Sequence, residues 1–472
     1  MSHSSANQCC AGIANVLGNK VYFPGESGYN TTETSYWSLQ EASVAPACVV
    51  QPETTVEVVS FISIVTKTTN CSFAIKTQGH APAAGAANIA DGVTLDISWL
   101  NGRDLNDDHS VASVGPGSAW LDVYTALQPF NRTVAGGRNG AVGVGGLTLG
   151  GGISYFSPQV GWTCDTVVNF EIVLSSAEIV NANATSNPDL FRALKGGGNN
   201  FGVVTRIDFA TIDTVPLRAG HLIQSSEYIK PVLTAFANIA SAEDYDVHAS
   251  ITTSFTFNVT TSGWTIASIP VYTLPETDPA VYQELFSIPN ITAQSTVLAE
   301  NISTLAAEGP YPQSYQRFLT STYAASAVLL IEIFGVANQT LRSARSPSDI
   351  SYSLTFEPLP AVLTQHGAGK NVLGTSEADG NGVVLLISTS WSNSNSSSFA
   401  QSMSRKLLQA MDDTAAAPGG LHQFKYMNYA DPSQDPLESY GSKNLAFLRA
   451  VSARYDPSGI FQKKVPGGFK LG

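Results

Sequence analysis

His80 closes the stretch Lys76-Thr77-Gln78-Gly79-His80. The apolar β-type run Cys71-Ser72-Phe73-Ala74-Ile75 precedes it, and a small-residue loop from Pro82 to Asp91 leads from it into a second strand at Val93-Thr94-Leu95-Asp96. Imidazole changes charge near neutral pH, and its neutral ring nitrogen can act as base, nucleophile or ligand. A lone histidine is usually a satisfied structural group. One set between a strand, a glycine and a small-residue loop, with two more glycine clusters downstream, is a stronger candidate for function. The cluster Val142-Gly143-Val144-Gly145-Gly146-Leu147-Thr148-Leu149-Gly150-Gly151-Gly152 lets the backbone approach a ligand and present N–H groups to phosphate oxygens. It is not the dinucleotide fingerprint, because the sixth residue from Gly143 is Thr148 rather than glycine. A nicotinamide-type site is therefore disfavoured. The seven histidines form no His-X-His or His-Glu-X-X-His pattern, so no metal site is expected. No Gly-X-Ser-X-Gly elbow is present for a hydrolase.

These residues need a large scaffold. At 472 residues the chain is long for one core and implies two lobes. A net charge of −13 provides no basic patch to neutralise phosphates, which argues against nucleic acid as a partner. No apolar run is long enough to cross a membrane as a helix. Nine Asn-X-Ser/Thr sequons, at Asn30, Asn70, Asn131, Asn183, Asn258, Asn290, Asn301, Asn338 and Asn395, favour a secretory history. The polar start Met1–Ser5 is no signal peptide, so secretion implies a leader removed from the natural protein. Cys9, Cys10, Cys48 and Cys71 allow three disulfide pairings, of which the one joining adjacent Cys9 and Cys10 is least favoured. Cys164 is left over and reads as a small buried hydrophobe.

Strand and helix alternate over 44–75 and 93–98, with Thr54 the cap of a helical pattern through Val58, Ile62 and Val65. Val114–Tyr124 reads as strand, tight turn and helix. Val167–Ala182 reads as a hairpin, Pro188–Lys195 as a short helix ended by glycines, and Val203–Phe209 as a strand. Beyond about residue 211 the pattern changes to strands at Ile251–Val259, Trp264–Val271, Ala327–Phe334 and Val383–Ser390, with helical patterns at Ile229–Ala240 and Phe399–Met411. That is an antiparallel sheet with covering helices, hence an α+β fold.

Across nearly its whole length the sequence resembles the berberine-bridge-enzyme-like FAD-linked oxidases of the vanillyl-alcohol-oxidase superfamily, in their fungal form. His80 stands where that family attaches its flavin. Gly115-Pro116-Gly117 resembles the family's second flavin-contacting turn, and 143–154 its pyrophosphate- and ring-cradling loop. Gly161–Val168 resembles the strand near the adenosine end. Asn187–Thr205, with Gly196-Gly197-Gly198-Asn199-Asn200-Phe201-Gly202-Val203, is the most specific match. Tyr426–Asp431, Tyr440–Asn444 and Tyr455–Phe461 resemble the closing motif.

The resemblance implies an FAD cofactor bonded through His80 to the flavin C8 methyl. It implies cofactor contacts at Gln78, Gly79, Gly85, Gly115, Gly117, Val142, Gly143, Gly145, Gly146, Gly150, Gly151, Val203 and Asn428. Tyr429 is expected as the catalytic base or acid; a phenol near pKa 10 needs a neighbour that stabilises phenolate to act as base. Three positions depart from the family pattern. Asn139 stands where relatives carry a second attaching cysteine, so no second bond is expected. Lys76-Thr77-Gln78-Gly79 replaces Arg-Ser-Gly-Gly and sets the Gln78 side chain close to the pyrophosphate path. Val142 occupies the position of a small aliphatic residue in relatives that use oxygen, favouring an oxidase. His366 and His422 are minor candidates for lining the pocket, and Glu357 reads as a surface strand end.

The expected molecule is a two-lobed FAD enzyme with 1–211 and 421–472 binding FAD and 212–420 forming the substrate-binding domain. It is expected to be a secreted monomer. The expected reaction passes hydride from a small organic substrate, of secondary metabolism, to flavin N5, with dioxygen reduced to hydrogen peroxide. The alternative is a flavin-containing isomerase or cyclase without net oxidation.

Overall fold

The helical pattern opening at Thr54 is the helix Thr55–Lys67. The Thr54 hydroxyl accepts the Glu57 N–H and the Glu57 carboxylate accepts the Thr54 N–H, a capping box that satisfies two end donors at once. Its apolar face, Val58, Phe61, Ile62 and Val65, shares one core with Phe73, Val93 and Leu95 of the first sheet. The structure, a computed structural model, describes residues 3–291, 296–307 and 313–472.

The first sheet has four strands in the order Val21–Tyr22, Cys48–Val50, Val93–Asp96, Phe73–Lys76, and the last three run parallel. An N-terminal helix, His3–Leu17, for which the sequence reading had no counterpart, is tied to it by disulfides Cys9–Cys71 and Cys10–Cys48. These resolve the three pairings left open, and Cys164 is free and buried, as expected. Cys71 lies two residues before the strand Phe73–Lys76 that delivers His80. The second sheet is antiparallel, five strands in the order Arg103–Leu105, Val111–Val114, Val203–Ala210, Val167–Val173, Ile179–Asn183. It contains the expected hairpin, and Pro188–Leu194 is the expected short helix.

The third sheet has eight antiparallel strands: Thr296–Glu300, Leu217–Ser225, Gly263–Tyr272, Ala249–Asn258, Ile350–Leu359, Gly382–Trp391, Tyr315–Ala324 and Leu421–His422. Helices Ile229–Ala240, Ala327–Ser343 and Ser397–Ala416 bury one face of it in a second core. This is the α+β arrangement expected. One element is corrected: Ala327–Phe334 is not a strand but the start of a helix. The run Ala-Val-Leu-Leu-Ile-Glu-Ile-Phe suits either form by periodicity alone. The Ser326 hydroxyl accepts the Leu329 N–H as a cap, and Leu330, Ile333, Ala337 and Leu341 then fall on one buried stripe.

The C-terminal segment returns to the first sheet. Ile460, Phe461 and Val465 join its core, and the Lys464 ammonium donates to the carbonyls of Val65 and Thr68 at 2.7 and 2.8 Å. Among the described residues no helix is long and apolar enough to cross a membrane. None of the nine sequon asparagines is buried.

Candidate active site

A cavity of about 840 Å³ is walled by the 77–87 loop, the glycine segment 142–150, the inner face of the eight-stranded sheet and the segments 426–435 and 466–470. That lies near the top of the ~300–1,000 Å³ range of small-molecule sites, as a dinucleotide-sized group requires. Gly79, His80, Gly85, Val142, Gly143, Gly145, Gly146, Gly150, Val203, Asn428 and Tyr429 all line it. Gln78, Gly115, Gly117 and Gly151 do not; they stand behind the wall. The Gln78 amide donates to the Gly117 carbonyl at 2.6 Å, so its side chain braces the Gly115-Pro116-Gly117 turn. His366 and His422 also lie off the lining.

The cradle is built largely from backbone. Gly79 has φ +68°, and a Cβ there would lie 2.7 Å from the Tyr36 ring. Gly85 and Ala87 donate their N–H groups to the buried Glu41 carboxylate at 2.5 and 2.6 Å, which pins the small-residue loop. Among the described residues the N–H groups of Gly79, Ala81 and Ala84 find no protein acceptor, leaving donors available beside the cavity. A Cβ on Gly150 would come within 2.0 Å of Asn428 Oδ1, so this glycine makes room for Asn428. Asn428 in turn donates to the Leu147 carbonyl and the Tyr426 hydroxyl, each at 3.0 Å. Asn139 lines the same wall, and no thiol stands there. Open donors and small residues along a cavity of this size fit a flavin dinucleotide.

The His80 ring stacks on Trp37, with centroids 4.5 Å apart and planes 11° apart. Burial lowers its pKa to about 4, so the imidazole is neutral near pH 7. Aromatic contacts run on from Trp37 to Phe318 at 5.3 Å and from Phe318 to Tyr429 at 6.1 Å, joining the cradle to the sheet above it.

On the sheet, Phe356 faces the helix-covered core, so its neighbour Glu357 projects to the other side. Glu357 is therefore not the surface strand end expected: it is 2% exposed and lines the cavity. Its Oε1 takes the Arg138 guanidinium at 2.5 Å and the Tyr429 hydroxyl at 2.9 Å. Arg138 also donates to the Tyr429 oxygen at 3.0 Å and to the Thr252 hydroxyl at 2.9 Å. Burial and the Glu357 carboxylate push the Tyr429 phenol well above 10, against a smaller downward pull from Arg138. Burial pulls the Arg138 pKa down, but Glu357, Tyr429 and Tyr155 more than offset it. Sequence reasoning missed Arg138 and Trp37. Arg138 sits in Gly136-Gly137-Arg138-Asn139-Gly140, which reads as a turn, and its partners are 219 and 291 residues away.

Residues 46–183 match the FAD binding domain family. The chain is 35% identical to the FAD-dependent monooxygenase tpcD of Cochliobolus heterostrophus over 95% of this chain and 89% of that protein. It is 33% identical to the FAD-dependent monooxygenase sdcF of Emericella nidulans, over 98% of each. The structure of berberine bridge enzyme from Eschscholzia californica superposes with a TM-score of 0.80 at 14% identity, covering 99% of both chains, and shares its fold. With the glycine-lined cradle, the open backbone donors and these two full-length relatives, the chain belongs to the family of FAD-linked oxidoreductases that includes those fungal proteins, and it has the fold of berberine bridge enzyme.

Proposed function

We propose that this protein is a flavin-dependent oxidase of a small organic substrate of fungal secondary metabolism, in which Tyr429 and Glu357 together take up the substrate proton. The Arg138–Glu357–Tyr429 cluster, on the lining of the cavity that also holds His80, carries this reading. FAD, when bound, supplies hydride acceptance at N5 and reoxidation by dioxygen, which yields hydrogen peroxide. Tyr429 alone is a poor base, because its phenol is held well above 10. Its proton already points at Glu357, 2.9 Å away. A substrate O–H or N–H bonded to the Tyr429 oxygen passes its proton there as Tyr429 passes its own to Glu357. Arg138 holds both oxygens in line and balances the carboxylate.

His80 is the proposed attachment residue. Its neutral ring keeps the lone pair that bond formation to the flavin C8 methyl requires, and Trp37 fixes the ring plane. Asn139 offers no second bond. Asn428 is assigned to the isoalloxazine ring, and Val142 to the small aliphatic position that leaves oxygen access. Gly79, Gly85, Gly143, Gly145, Gly146, Gly150 and Val203 are assigned to cofactor contact; Gln78, Gly115, Gly117 and Gly151 position that wall from behind. Residues 1–211 and 421–472 form the proposed FAD-binding domain, with 212–420 above it. Two disulfides and nine unburied sequon asparagines support a secreted protein, which is proposed to act as a monomer.

The first test is an absorption spectrum taken before and after acid precipitation. Flavin in the pellet supports attachment, and His80→Ala then moves it to the supernatant; flavin already in the supernatant sinks the attachment. The second measures oxygen uptake and peroxide with a panel of phenols, secondary alcohols and enolisable ketones. A second reading rests on the relatives named as monooxygenases: heavy-isotope oxygen appearing in the product favours oxygen insertion. Peroxide formed one-for-one with product favours the oxidase. Product formed without oxygen uptake favours an isomerase or cyclase.

A further inference from the structure

The cavity carries cations at two places. Arg138 is neutralised by Glu357. The other is Lys470, third residue from the C-terminus, whose ammonium donates to Asn199 Oδ1 at 2.8 Å. Among the described residues no carboxylate pairs with Lys470, although its side chain is half-buried. Burial alone accounts for the fall of its pKa to about 7. A half-buried cation without a counter-charge, facing a cavity, is a costly arrangement unless an anion completes it.

The surroundings of Lys470 indicate which anion. The C-terminal segment presses on the small-residue loop: a Cβ on Gly467 would lie 2.5 Å from the carbonyl oxygens of Gly85 and Ala86. Asn199 ties the segment down by donating to the Gly467 carbonyl at 3.1 Å. Lys470 thus shares the lining with the loop that offers the open N–H groups of Gly79, Ala81 and Ala84, and with Gly198, Gly202 and Val203. His80 belongs to that same loop, and Tyr429 lines the cavity from the 426–435 segment.

We propose that Lys470 is the cofactor-phosphate anchor: its ammonium pairs with the pyrophosphate of FAD, so the C-terminal tail closes the cofactor site electrostatically. The inference rests on FAD as the cofactor and adds a ligand supplied by the last residues of the chain. With FAD bound, backbone N–H groups and one ammonium would share the phosphate charge.

The test uses the full chain in a His80→Ala background, where flavin is held reversibly, and titrates the apoprotein with FAD and, separately, with riboflavin, which has no phosphate. Lys470→Met keeps most of the side-chain stem and removes the charge. The expected result is FAD affinity lowered roughly ten-fold or more, as for loss of a charged hydrogen bond, with riboflavin affinity within two-fold of the parent. Lys470→Arg should restore most of the FAD affinity. Equal losses for FAD and riboflavin would mean a packing role and overturn the proposal, as would unchanged FAD affinity in Lys470→Met. Failure of the His80→Ala parent itself to bind FAD would instead count against the cofactor reading.

Discussion

The two walls of the cavity recognise by different means. The cradle wall, 77–87 with 142–150, works through glycines, open N–H groups and one pinned loop; its side chains are small. The opposite wall works through a few long side chains joined in one hydrogen-bonded cluster: Glu357 from the strand Ile350–Leu359, Arg138 from the 136–140 turn and Tyr429 from the 426–435 segment. A backbone cradle fits any ligand of the right shape and phosphate geometry, so it serves a cofactor. Long side chains can change one by one without disturbing the backbone that carries them, so in the proposed function they are where substrate chemistry is set. Related proteins can thus share the cradle and differ in reaction.

Glu357→Gln breaks the sheet side of this contrast and carries the largest expected effect. Turnover should fall by roughly 10²–10⁴-fold, with flavin content unchanged by absorbance. Loss of flavin along with activity would place Glu357 in cofactor binding and erase the distinction between the walls. Next comes the support under the cradle. Cys9→Ser with Cys71→Ser opens a link spanning 62 residues, and should cost about 2–5 kcal/mol of stability, read as a lowered denaturant midpoint. Gly150→Ala tests whether the cradle depends on missing side chains: its Cβ, 2.0 Å from Asn428 Oδ1, should cost about 1–3 kcal/mol and lower flavin occupancy. Normal occupancy in a stable Gly150→Ala protein would mean that Asn428 moves freely.

The smallest effect concerns pH. Burial holds the Glu33 and Glu41 carboxyls up at about 7, above the ordinary 4.5. Folding therefore favours their protonated forms. The stability they contribute is complete below 4.5 and is lost as pH rises through about 7. His80 has the opposite sign: burial lowers it from 6.5 to about 4, so its contribution is present above 6.5 and lost as pH falls toward 4. Because the two windows overlap, Glu41→Gln should remove only the fall in melting temperature between about pH 4.5 and 7, a few degrees at most, and leave the loss on the acid side toward pH 4 unchanged. A flattened acid side instead would show that the Glu41 anchor and His80 are not separable.

Much of the cradle was legible because its signals are local. Gly79-His80, the 142–152 glycines and the 187–205 segment each carry their meaning within a few neighbouring residues, since a turn or a close backbone approach needs a particular residue type at a particular place. The Thr54–Glu57 capping box, the 229–240 helix and the 167–182 hairpin are local in the same way. Ala327–Phe334 was misread because an apolar run has no single period, and only the Ser326 cap and the shared core selected a helix. Glu357 was misjudged and Arg138 overlooked for a different reason. Their meaning lies in contacts across 219 residues of chain, and a carboxylate near a strand end carries no sign of which face will be covered.

The sequence by itself determined the cofactor class, the α+β layering and the place of His80 beside the small-residue loop, because glycine geometry, strand and helix periods and end caps are properties of short segments. Only the tertiary structure decided that Glu357 is buried beside Tyr429, that Arg138 joins them, that Trp37 stacks on His80, and that Lys470 reaches the cofactor wall. Burial and electrostatic pairing depend on distance in space, and folding brings together side chains whose spacing along the chain bears no relation to it.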